Sequence, residues 1–171
     1  MKRYIILALL VITPLLGFGK DSPEKVLIKY LKALYSNNLK KTYNYISKAD
    51  KETISKSEFV KQNTLDDPFL KEMSKTIYEL SKYEVNDVDI NGDKAIVDIT
   101  TISPDMPRVL AEIFGPFYGP RNMKNPQEAT RYMLKQYLKK GDVPMAKDTR
   151  KFVLLEEDGK WKIFLDLKNK D

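Results

Sequence analysis

The chain of 171 residues contains no cysteine and no histidine. The first absence removes disulfides and thiol nucleophiles. The second removes serine–histidine triads and the histidine ligands of most zinc sites. Any chemistry here has to run on Asp, Glu, Lys, Arg or Tyr. Basic residues outnumber acidic ones, 30 to 24, yet they form no block of five or six. A nucleic-acid surface needs a clustered basic stripe, so the charge reads as solvated helix faces and no nucleic-acid partner is expected.

Long apolar runs are missing too, apart from the start. MKRYIILALLVITPLLGFG opens on Lys2 and Arg3, continues apolar from Tyr4 to Phe18 and closes with Gly17 and Gly19. A basic end, a short apolar core and small residues at a cleavage site are the layout of a secretory signal. The run is short for a bilayer, which needs about 20 residues. Residues 1–19 are therefore expected to be a signal and 20–171 the working domain, without a stable membrane span. Losing Lys2 and Arg3 lowers the net charge from +6 to +4. With no cysteine for lipid attachment, the expected location is periplasmic or secreted. Stability must then come from an apolar core, which about 150 residues can supply without disulfides.

Four Ser/Asp/Asn-Pro pairs punctuate the chain: Ser22-Pro23, Asp67-Pro68, Ser103-Pro104 and Asn125-Pro126. Each puts a capping residue before a proline at a first helical position. Apolar residues follow at helical spacing: Val26, Leu27, Tyr30, Leu31, Leu34 and Tyr35; then Leu70, Met73, Ile77 and Leu80; then Met106, Val109, Leu110, Ile113 and Phe114; then Ala129, Tyr132, Met133 and Tyr137. Leu39–Ser47 and a segment opened by the capping-box spacing Ser55…Glu58 add two shorter helices.

Strands are expected in two hairpins. Tyr83–Ile90 and Lys94–Ile102 flank Asn91-Gly92, and Lys151–Glu157 and Lys160–Leu167 flank Asp158-Gly159. In the last strand Trp161, Ile163, Leu165 and Leu167 alternate with charged residues, so one face is buried. Helices followed by antiparallel hairpins define an α+β fold. Residues 104–147 form a two-helix insertion between the hairpins. FGPFYGPR at 114–121 joins the inserted helices, either as a corner fixed by its Gly-Pro pairs or as a lid carrying Phe117 and Tyr118.

Three segments resemble small exported bacterial domains of the nuclear-transport-factor-2-like (cystatin-like cone) superfamily. They are the opening SPEKVLIKYLKALYSNNLKKTYNYIS with Tyr43 and Ser47, the turn NGDKAIV from Asn91 to Val97, and DGKWKI from Asp158 to Ile163. The resemblance implies N-terminal helices packed on a curved antiparallel sheet that encloses a conical pocket. Its members include isomerases of the ketosteroid isomerase type, small-ligand binders and scaffolding domains, so fold alone does not choose among them.

On that implied fold the pocket candidates are Tyr30, Tyr83, Val97, Ile99 and Trp161, with Phe117 and Tyr118 at the mouth. The expected function is a non-catalytic binding module, taking a small apolar ligand in the cone or an envelope protein on the sheet face. One alternative is an isomerase- or cyclase-like enzyme, with Asp98 as base and Tyr30 or Tyr83 as hydroxyl donor. Asp98 shares a strand side with Lys94 and Thr100, however, which is the pattern of a solvent face. The other alternative is a homodimer or scaffold using an apolar sheet face around Ile96, Ile102 and Phe164. Glu156-Glu157-Asp158 lies in a turn and Asp66-Asp67 at a helix start, where the helix dipole favours negative charge. Neither offers convergent ligands, so no metal and no cofactor is expected.

Overall fold

The computed structural model describes residues 21–114 and 126–169. The proposed signal, FGPFYGPR from Gly115 onward, and Phe117 and Tyr118 lie outside the described residues.

Local chemistry starts and stops the helices. α1 (Pro23–Tyr35) has Pro23 at its first turn. The Ser22 hydroxyl donates to the Glu24 carboxylate instead of capping a backbone N–H. The helix ends in a Schellman arrangement. Asn38 N–H reaches Ala33 O at 2.9 Å and Asn37 N–H reaches Leu34 O at 3.0 Å, with Asn37 at φ 55° where glycine is more usual. α2 (Leu39–Tyr45), α3 (Lys48–Thr53), α4 (Lys56–Asn63) and α5 (Pro68–Leu80) are capped by Asn38, Ser47, Ser55 and Asp67. The capping box Ser55…Glu58 is complete in both directions. At Ser103-Pro104 the expected cap is not used. Pro104 ends a strand, and Asp105 caps α6 (Met106–Phe114) by accepting Arg108 N–H at 3.2 Å. α7 runs Pro126–Lys139.

The sheet is a four-stranded antiparallel meander ordered β1 (Lys82–Asn91), β2 (Lys94–Pro104), β3 (Met145–Glu157) and β4 (Lys160–Phe164). Asn91 pairs directly with Lys94, so the first turn is Gly92-Asp93. Only Gly92 of the two has positive φ, at 61°, which is a type II′ turn and sits one residue later than Asn-Gly suggests. In the second turn Asp158 and Gly159 both have positive φ, 51° and 73°, the type I′ geometry. β3 starts six residues before the expected Lys151, because Met145–Arg150 continue the ladder with β2 as far as the pair Pro104–Met145. β4 stops at Phe164, before the expected Leu167. The chain then turns through Asp166 at φ 55° into a 3-10 turn, Leu167–Asn169.

Alternation assigns the two faces of the sheet. Ala95, Val97, Ile99, Leu154 and Ile163 point to one side and form the core with Val26, Leu27, Tyr30 and Leu31 of α1. A second apolar cluster joins Val109, Leu134, Leu138 and Val143 of the inserted segment to Phe69, Met73 and Leu80 of α5. The polar seam of that contact puts α5 acids against α7 bases, Glu72 with Lys135 at 2.7 Å and Asp67 with Arg131.

Candidate functional site

The helix-covered face holds five of the seven pocket candidates. Val97 and Ile99 are fully buried, Tyr30 is 6% exposed, and Tyr83 and Trp161 pack at the margin of the same cluster. Burial pushes the Tyr30 phenol up to about 12, with the charges of Asp50 and Tyr35 adding to the shift. Burial also raises Tyr83 well above the ordinary tyrosine range, helped by Tyr35 and Tyr78. Tyr35, Tyr78 and Tyr83 form a chain of rings, with centroids 5.9 and 5.6 Å apart, that links α1 through α5 to β1. Packing thus disfavours the phenolate form of both candidate hydroxyls.

Asp98 lies on the opposite face. It alternates with Val97 and Ile99, and its Oδ1 accepts from Asn86 Nδ2 at 2.8 Å. Asn86 is the extra residue of a β-bulge between Val85 and Asp87. The bulge aims its amide across the outer surface, where it also donates to Thr100 at 2.9 Å, and Thr100 in turn meets Thr149 at 2.8 Å. The carboxylate and tyrosine needed by the isomerase alternative are therefore on two sides of one sheet. They do not converge on a common atom.

A buried carboxylate does exist elsewhere, and the sequence reading missed it. Asp50 is 2% exposed. Its Oδ2 accepts the Ser47 hydroxyl at 2.5 Å and Leu165 N–H at 2.8 Å, while its Oδ1 accepts Leu167 N–H at 3.0 Å. A cleft of about 500 Å³ opens beside it, lined also by Glu52, Thr53, Phe164, Asp166 and Lys168. With three donors already in place, the Asp50 carboxylate closes the fold and is not poised as a base. Among the described residues no three Asp or Glu side chains are grouped as a metal-binding set.

The outer face carries the surface that could meet a partner. Register places Asp89, Ile96, Val153 and Phe164 in one row across all four strands. The neighbouring row is Asn91, Lys94, Leu155 and Lys162. Ile96, Val153, Leu155 and Phe164 are half-buried, and they belong to neither apolar cluster. Register sets them side by side on the outer face, and at one end Phe164 also lines the cleft beside α3 with Glu52 and Thr53. Ile102, expected in the same patch, is three outer rows away from Ile96, between Lys82 and Lys147. Lysines 94, 151, 160 and 162 fringe the patch. At its corner Glu157 Oε1 accepts Lys48 N–H at 2.8 Å, while its Oε2 is buried with no hydrogen-bond partner.

What fold and surfaces define is an α+β domain: helices on one face of an antiparallel meander, a helical insertion between its hairpins, and an open outer face. No family model matches the chain, and no curated protein matches it. Among solved structures it is similar to ycdA, a candidate lipoprotein of Bacillus subtilis, with 17% identity over 77% of this chain and a TM-score of 0.39. The chain spans 41% of that protein's length. Likeness at this level carries nothing about function. No helix among the described residues is long and apolar enough to cross a membrane.

Proposed function

We propose that the chain is an exported, non-catalytic binding module of the nuclear-transport-factor-2-like kind, and that it docks a protein on the outer face of its sheet. The observation that supports this reading is the row Ile96–Val153–Phe164 with Leu155 beside it, apolar, outside both apolar clusters, and bordered by lysines on the β3–β4 side and by Asp89 and Asp98 on the β1 side. Apolar patches ringed by polar groups are typical of protein contacts. The lysine side of the rim calls for carboxylates on the partner and the Asp89–Asp98 side for bases. The cone reading of the same module is the weaker one here, because Tyr30, Val97 and Ile99 are packed into the core with α1.

The test is site-specific photocrosslinking in the native envelope, with the crosslinker at Val153 and, for comparison, at exposed Lys25 on α1. A discrete adduct at 153 that disappears in Phe164→Asp supports the reading. The same adducts from both positions, or none at 153, overturns it. Native mass spectrometry separates the ligand alternative: a small added mass that survives Phe164→Asp places binding inside the cone.

A further inference from the structure

The two edges of the sheet are treated differently. The β4 edge is covered by the chain itself: Ile46 bridges Ile163, Ser47 N–H donates to Ile163 O at 2.8 Å, and Lys162 Nζ donates to Asn44 O at 2.8 Å. The β1 edge has no strand beside it among the described residues, although β1 is ten residues long. A strand of that length with no neighbour is a template for another strand, and proteins usually blunt it with lysine, proline or a bulge; here one donor in the stretch, Val88 N–H, is turned onto Asp87 Oδ1 at 2.9 Å, a contact that an incoming strand would have to displace. β1 has no proline, and its one lysine is its first residue. Its bulge falls at Asn86 and leaves Asp87–Asn91 in unbroken register with β2.

The side chains of that stretch alternate in chemistry. Val88 and Ile90 point to the helix side, with Ile90 53% exposed. Asp87 and Asp89 point to the outer side. Asp87 sits directly across from Asp98, a like-charge pair that disfavours the sheet. No ion pair engages Asp87, Asp89, Asp93 or Asp98 among the described residues; Lys94 and Lys151 stand opposite Asn91 and Asp98 in register without bridging them.

We propose that the Asp87–Asn91 edge of β1 takes an extended segment of a partner protein as a fifth strand, a segment in which Lys or Arg alternates with apolar residues. The two-residue period of a strand brings every second side chain to the outer side, where bases meet Asp87 and Asp89. The residues between them cover Ile90 and Val88. Backbone hydrogen bonds supply the pairing, and the charge pattern selects the sequence and its register. This goes beyond the sheet-face reading, since edge pairing leaves Ile96, Val153 and Phe164 open.

The probe is a synthetic six-residue peptide alternating lysine and valine, added to the isotopically labelled full chain. Amide hydrogen exchange is followed by NMR. Three companion peptides carry glutamate for lysine, or N-methyl groups along one backbone edge or along the other. The expected result is slowed exchange confined to β1 around Asp87–Asn91 with the lysine peptide and with one of the two N-methylated peptides. The glutamate peptide should bind at least about tenfold more weakly, as should the lysine peptide to an Asp87→Lys, Asp89→Lys chain. Phe164→Asp should leave peptide binding unchanged, which separates this site from the outer face. The proposal is overturned by no slowing in β1 at millimolar peptide. Equal tolerance of both N-methylated peptides, or equal binding of the glutamate peptide, also overturns it.

Discussion

Asp50 accepts the backbone N–H of Leu167 at 3.0 Å across 117 positions of chain, tying the first turn of α3 to the segment that follows the last strand. Ser47 caps the same helix and donates its hydroxyl to the same carboxylate. Replacing Asp50 by Ala leaves the two backbone donors at 165 and 167 without their acceptor, at a cost of about 3 kcal/mol. Asp50→Asn, which keeps one carbonyl oxygen, should lose less. Urea unfolding checks this as a lower midpoint with an unchanged slope; an Ala variant as stable as the parent would mean that the carboxylate closes nothing.

Ile163 and Phe164 are consecutive in β4 and face opposite ways. Ile163 is fully buried, so Ile163→Ala should cost about 3 kcal/mol. Phe164→Ala removes a half-buried side chain from the outer face and should cost about 1–2 kcal/mol, less than Ile163→Ala, while reducing partner crosslinking. Thermal melts of the two variants measure the contrast. Equal losses would show that the outer face is covered in the native chain.

Alkaline pH probes the packing of Tyr30. Its pKa is raised from 10.0 to about 12, so burial of the neutral phenol stabilises the fold fully below pH 10, and that contribution fades as pH climbs through 12. Each pH unit in that window should remove up to about 1.4 kcal/mol through this residue. Tyr30→Phe should flatten the slope in part, with Tyr83 supplying the remainder in the same direction. Denaturation midpoints at several pH values between 9 and 12 give the result, and an unaltered slope in Tyr30→Phe contradicts the assignment.

The capping box at α4 allows a local test. Ser55→Ala should cost about 1 kcal/mol, and Ser55→Thr should recover most of it, because a threonine hydroxyl can accept Glu58 N–H, as Ser55 does at 3.2 Å, and also donate to the Glu58 carboxylate, as Ser55 does at 2.7 Å. Circular dichroism during denaturation reports both.

Much of this architecture was readable from residue chemistry. Ser55 and Asp67 cap helices where a short polar side chain precedes helical spacing, whereas Ser47, expected to end a helix from Leu39, instead caps α3, a helix the spacing does not suggest. Asp158-Gly159 turns a hairpin where both φ angles must be positive. The first half of β3 was not readable. Met145–Arg150 is exposed along its length and reads Met-Ala-Lys-Asp-Thr-Arg, without alternation; backbone pairing to β2 holds it extended. Asp50 was hidden for a different reason. Its distant partners are backbone N–H groups, which leave no trace in residue type. The outer patch was partly visible through Ile96 and Phe164. Val153 and Leu155 complete it from Phe-Val-Leu-Leu, a run that is apolar toward both faces.

The pairing of Pro104 with Met145 has a consequence for how this chain could have grown. The residues on either side of the inserted helices are direct cross-strand neighbours, about 5 Å apart at Cα, and Asp105 N–H bonds Pro144 O at 2.8 Å just beyond them. A two-residue turn spans the same gap. The inserted helices thus hang from a hairpin end, and replacing them by a short turn should leave the strand register untouched. The penalty falls on α5, whose Phe69, Met73 and Leu80 would lose the only apolar cluster they share with the inserted segment among the described residues.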